Sequence, residues 1–111
     1  MLETSNTAYD GNWRLGKREG QGNEVSRDAV YTGNWSNDLK HGKGKWIFNS
    51  GGVYEGNFVR GSIEGEGFYM YANKDQYRGN FKDAKRHGQG KFVFSNGMSY
   101  EGQFFEGRIE G

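Results

Sequence analysis

A Tyr-x-Gly-x-aromatic unit recurs in this 111-residue chain at Tyr9, Tyr31, Tyr54, Tyr77 and Tyr100. The spacings are 22, 23, 23 and 23 residues, so almost the whole sequence is one repeat array. The first four units continue with His or Glu followed by Gly-x-Gly, as in His41-Gly42-Lys43-Gly44 and Glu64-Gly65-Glu66-Gly67, and the fifth stops inside this element at Glu110-Gly111. With the tyrosine numbered 1, unit positions 1, 5, 16 and 18 hold 16 of the 18 aromatic residues; Phe68 and Phe105 fall elsewhere. Positions 3, 8, 12, 14 and 21 hold 19 of the 20 glycines, with Gly52 outside the pattern. The array therefore divides into 9–30, 31–53, 54–76, 77–99 and a partial 100–111, after a lead-in over 1–8.

Within a unit, positions 1, 3, 5 and then 14, 16, 18 step by two, which is the period of a strand. Polar residues alternate with them, and turn-forming segments such as Asn49-Ser50-Gly51-Gly52 and Ser95-Asn96-Gly97 separate successive units. Each unit reads as a β-hairpin, and consecutive hairpins pair into one antiparallel meander. Composition supports this: 20 glycines would destabilise helices, each by about 1 kcal/mol relative to alanine. A flexible linker would not carry 18 aromatics. Leu, Ile, Val and Phe together number only 19, too few for a thick aliphatic core. Glycines at positions 3 and 14 are instead expected to let a ring from a neighbouring strand lie on bare backbone. Those at positions 8 and 12 are placed in the loop joining the two strands of a hairpin, where glycine permits positive φ.

The recurring Tyr-x-Gly-x-Trp/Phe with downstream His/Glu-Gly-x-Gly resembles the MORN repeat family (membrane occupation and recognition nexus) from Tyr9 through Gly111. The resemblance implies an elongated single-layer sheet with one hairpin per repeat. It also implies a non-catalytic scaffold in cytoskeletal, ciliary or membrane-apposed assemblies, or a regulatory segment of a larger enzyme. Two units depart from the pattern. The first is a residue short and carries Glu24 and Ser26 where its sisters have paired aromatics, as a capping repeat would. The fifth has only its first strand and loop, so the chain reads as a piece of a longer array or as one whose open edge is covered by a partner or by a second copy.

Several features that suggest chemistry have plainer explanations. His41 and His87 occupy equivalent positions two repeats apart, roughly 19 Å at the usual strand spacing, so they cannot share a metal ion. Glu64 and Glu66 sit beside glycines with no apolar pocket to raise a carboxyl pKa. The Gly-x-Gly pairs precede aromatic strands rather than helices, so they are no phosphate cradle. No catalytic residue, metal or cofactor is expected. Fifteen basic residues oppose fourteen acidic ones, which argues against a nucleic-acid partner. With no cysteine, no secretory leader and no long apolar run, a cytoplasmic protein is expected.

Partner binding is expected on the aromatic face, through Trp13, Trp35, Phe58, Phe81 and Phe104 with Trp46, Tyr69 and Phe92. Ile47, Met70 and Val93 share position 17 and are expected on the opposite face, as a second contact surface. A peripheral membrane reading rests on a basic hairpin-loop edge formed by Lys17, Arg18, Lys40, Lys85 and Arg86, interrupted by Glu64 and Glu66.

Overall fold

The computed structural model describes residues 7–109; the start of the lead-in, and Glu110 and Gly111, lie outside them. Ten strands form one antiparallel sheet in chain order, with no helix among the described residues. The strands are β1 Ala8–Arg14, β2 Lys17–Val25, β3 Ala29–Ser36, β4 Leu39–Phe48 and β5 Val53–Val59. They continue as β6 Ser62–Met70, β7 Gln76–Lys82, β8 Lys85–Val93, β9 Ser99–Phe105 and the short β10 Arg108–Ile109. The molecule measures 48 × 23 × 19 Å, with its long dimension set by strand stacking at about 4.8 Å per strand. This is the single-layer meander of hairpins that the repeat predicts.

Each hairpin closes through a two-residue turn at positions 7 and 8, both at positive φ. Leu15-Gly16, Asn37-Asp38, Arg60-Gly61, Asp83-Ala84 and Glu106-Gly107 all share this conformation. Such turns match the right-handed twist of the flanking strands. The position-12 glycines are not in that loop. Gly20, Gly42, Gly65 and Gly88 lie inside β2, β4, β6 and β8, at φ values of 74 to 84°. They belong to a bulge: Gly33 pairs with Gly44 but Trp35 with Lys40, so three residues of β4 oppose Asn34 alone. The same shift recurs in each complete hairpin. The Asn34, Asn57 and Asn80 side chains donate to the position-13 carbonyls of that bulge, at 3.2 to 3.4 Å. Unit one keeps the bulge, with three residues of β2 opposite Asn12, despite its missing residue.

Positions 3 and 14 form a continuous row across nine strands, running Gly11, Gly22, Gly33, Gly44, Gly56, Gly67, Gly79, Gly90 and Gly102. Over this row lie the tyrosines. A Cβ placed on Gly44, Gly67 or Gly90 would stand 2.3 to 2.7 Å from atoms of Tyr31, Tyr54 or Tyr77. Each tyrosine then donates its hydroxyl to the backbone carbonyl three residues on, at 2.8 Å for Tyr31 and Tyr77 and 2.9 Å for Tyr54. The ring is thus held at both ends, by its own strand and by the bare backbone of the strand beside it.

These tyrosines alternate with the position-5 rings in an unbroken zigzag. From Trp13 it passes through Tyr9, Trp35, Tyr31, Phe58, Tyr54, Phe81, Tyr77 and Phe104 to Tyr100, with centroids 5.0 to 5.5 Å apart and planes 79 to 90° from parallel. Edge-to-face pairs of this kind contribute about 0.5–1.5 kcal/mol each beyond their burial. Each contact beyond a hairpin's own pair ties one repeat to the next. We predict that Gly79→Val costs about 3 kcal/mol or more in a urea melt, because its Cβ would stand 2.5 Å from the Gly90 Cα and 2.6 Å from the Gln89 carbonyl oxygen. A melt unchanged by the substitution would refute the ring-on-glycine account.

Candidate interaction surfaces

On the aromatic face, most of the residues expected to bind partners are already occupied. Trp35, Phe58, Phe81 and Phe104 are 1 to 5% exposed, and Phe92 is buried with them. Their ring surface is covered by the neighbouring repeats, so they form the core and offer no face to a partner. Trp46 and Tyr69 are half-buried, and Trp13 is 58% exposed because no preceding tyrosine flanks it among the described residues. A second ring row, from Trp46 and Phe48 through Tyr69 and Tyr71 to Phe92 and Phe94, packs beside the first.

Three of the five residues of the expected basic edge also point onto this face, because position 10 alternates in register with the rings. The Arg18 guanidinium lies 4.3 Å from the Trp35 ring centroid and is held by Glu24 and Asp38, each at 2.7 Å. Lys40 Nζ sits 4.6 Å from the Trp46 ring centroid and 3.6 Å from Glu24. The Arg86 guanidinium lies 4.9 Å from the Phe92 centroid and donates to Tyr71 Oη and the Gly107 carbonyl. In unit three the buried Ile63 fills the same place. These cations cap rings and do not form a free basic edge; Lys17 and Lys85, one position earlier, stay exposed at the turns. Glu24, which replaces a ring in unit one, supplies the carboxylate between Arg18 and Lys40. The hydrogen bond from Arg18 holds the Asp38 carboxyl below its usual range.

The interchange of His and Glu at position 11 has a structural reason that spacing alone does not reveal. Glu19 Oε1 accepts from the Asn37 backbone N–H at 3.2 Å, and His41 Nδ1 from that of Arg60 at 3.3 Å. Glu64 accepts likewise from Asp83. In these three units the residue holds the turn of the next hairpin, so an acceptor of either type serves there. The next turn residue donates its N–H to the position-10 carbonyl of the preceding repeat, at 2.8 to 3.0 Å. His87 instead meets the Phe105 ring, at 5.5 Å between centroids. Among the described residues no three His, Asp or Glu side chains gather around a point where a metal could sit.

The opposite face carries an open groove of about 840 Å³ that runs across β2 to β7. Its floor is the glycine row from Gly33 to Gly79. One wall is the cross-strand row Thr32, Lys45, Glu55, Phe68 and Arg78, each paired with the next. The other wall includes Gln21, Asn34, Lys43 and Glu66. Phe68, one of two aromatics outside the repeat pattern, is half-buried in the first wall with the Arg78 guanidinium 4.8 Å from its centroid. Beyond that wall the strands carry an apolar row, Val25, Val30, Ile47, Val53 and Met70. Ile47 is 43% exposed there. Ile47, Met70 and Val93 thus lie where position 17 predicts. Phe68 stands off the ring positions of the repeat, and that departure is the signal in the sequence for this wall.

The MORN repeat model matches residues 9–28, 31–53, 54–76, 77–99 and 100–111. The chain belongs to the MORN repeat family. It is 33% identical over 57 residues to MORN repeat-containing protein 3 of Xenopus laevis, an alignment that covers 45% of this chain and 24% of that protein. The chain thus spans about a quarter of the length of this relative. No helix of the described residues is long and apolar enough to cross a membrane.

Two predictions test this assignment of the MORN faces. Burial pushes the Tyr31 and Tyr54 hydroxyls up to about 12, above the value near 10 of an unfolded tyrosine. A pKa raised on folding leaves stability intact below pH 10 and erodes it from pH 10 to 12, so unfolding and phenolate absorbance should rise together across that window. Titration of every tyrosine near pH 10 with the fold intact would contradict the burial. Separately, Arg86→Ala should lower stability by about 1–2 kcal/mol, while Lys85→Ala stays within about 0.5 kcal/mol. Equal effects in thermal melts would mean that Arg86 does not cap the rings.

Proposed function

We propose that this MORN array is a non-catalytic protein-interaction scaffold whose docking surface is the glycine-floored groove. The observation that carries this reading is the contrast between the two faces. The position-5 rings from Trp35 to Phe104 are covered by the chain itself, whereas the groove face keeps Phe68, Arg78 and an apolar row accessible together. Aromatic and arginine side chains in such a setting are the usual anchors of an interface. A single-layer sheet has no second layer to cover that face, so a partner is the means of burying it. The peripheral membrane alternative loses Arg18, Lys40 and Arg86 to ring capping and retains Lys17 and Lys85, at about 1 kcal/mol each near an anionic surface.

The test is photo-crosslinking in the cell of origin, with benzoylphenylalanine at position 68 in the groove and, separately, at position 98 outside it. Discrete protein adducts from position 68, lost when Lys45→Glu and Arg78→Glu are added, are the expected result. Adducts from position 98 alone, or sedimentation with anionic vesicles that Lys17→Glu with Lys85→Glu abolishes while position 68 yields no protein adduct, would overturn the groove reading.

A further inference from the structure

We infer that the groove receives an α-helix of the partner, one presenting acidic, basic, apolar and acidic side chains in that order from the β4 end to the β7 end. The inference rests on the groove being the docking surface and adds the form and chemistry of its occupant.

The form follows from hydrogen bonding. The floor lies across the strands, and its backbone N–H and C=O groups are already engaged in the ladders between β3 and β7. An extended peptide laid along this direction would find no backbone partners there and would leave its own groups unsatisfied. A helix satisfies its backbone internally and needs only side-chain complementarity.

The chemistry follows from the wall. Lys45, Glu55, Phe68 and Arg78 occupy four successive strands in one cross-strand row, with Lys43 and Glu66 on the far wall. Successive wall residues are therefore about 4.8 Å apart along the groove, which equals about three residues of helical rise. Helix positions i, i+3, i+7 and i+10 advance at about that pitch and lie on one face. Charge complementarity then places an acidic residue at i against Lys45 and Lys43, which share β4, and a basic one at i+3 against Glu55, with Glu66 one strand further on. An apolar residue at i+7 meets Phe68, and an acidic one at i+10 meets Arg78. The helical repeat and the strand repeat thus match across the wall without distortion of either.

Three synthetic alanine-based peptides of 17 residues serve as probes. One carries Glu, Lys, Leu and Glu at i, i+3, i+7 and i+10; a second carries Lys, Glu, Leu and Lys; the third is the first interrupted by two prolines. Fluorescence anisotropy at low salt with the full chain should show the first binding about tenfold more tightly than the second. Lys45→Glu with Arg78→Glu should reverse that order, with the melting temperature of the double variant confirming that it folds. Amide resonances of Gly44, Gly56 and Gly67 should shift on binding. Equal binding of the first two peptides, or binding of the proline peptide as tight as the first, would overturn the inference. Protein crosslinks from position 68 together with that failure would leave the groove as a docking site and remove only the helix; absence of both would remove the docking site as well.

Discussion

A tyrosine ring resting on glycine backbone, with its hydroxyl bound three residues along its own strand, is the contact from which the sheet is assembled. A Cβ at the position-14 glycine would occupy the space of the ring. The position-3 glycine is constrained differently, by the Cα of the glycine beside it on the next strand. Together they bring two strands and a ring closer than any side chain permits, which replaces the second layer that most sheets need. The edge-to-face zigzag then depends on this, because the tyrosine must lie flat before the position-5 rings on either side can meet it edge-on. Stability is consequently distributed as nearest-neighbour terms along the array, as in other repeat proteins.

Two further devices join repeat to repeat at the turn edge. Position 11 supplies an acceptor at Glu19, His41 and Glu64, and position 10 a carbonyl in each complete repeat, and both hold the turn of the following hairpin. The position-10 cations turn inward over rings, where carboxylates or carbonyls complete their hydrogen bonding. Arginine suits this role because its planar group is weakly hydrated and stacks on aromatic faces. The result is an aromatic face that is largely sealed from solvent by its own chain.

That sealing makes the opposite face the informative one. There the glycine row has no ring above it and becomes the floor of a groove, with charged walls, one aromatic side chain and a flanking apolar row. The missing side chains serve the aromatic face, where they admit the tyrosine; the groove floor on the other face is bare because strand alternation turns these positions away from it.

The repeat period, the strand alternation and the pairing order of the hairpins were legible in the sequence, because a 23-residue recurrence of rings and glycines admits one antiparallel register. The role of glycine beneath the rings followed from the same spacing. What the tertiary structure decided was which groups remain available. Position 12 lies within a strand bulge rather than a loop, since two extra residues must be accommodated opposite position 4. Arg18, Lys40 and Arg86 face rings rather than water because the strand period, not their charge, sets the direction of their side chains. Trp35 and Phe58 pass from candidate anchors to core because each meets a tyrosine from the preceding repeat, a contact between residues more than twenty positions apart. Phe68 and Arg78 acquire meaning for the same reason, since only the pairing of β6 with β7 sets them side by side. Periodicity specifies the sheet, but exposure depends on what neighbouring strands bring alongside.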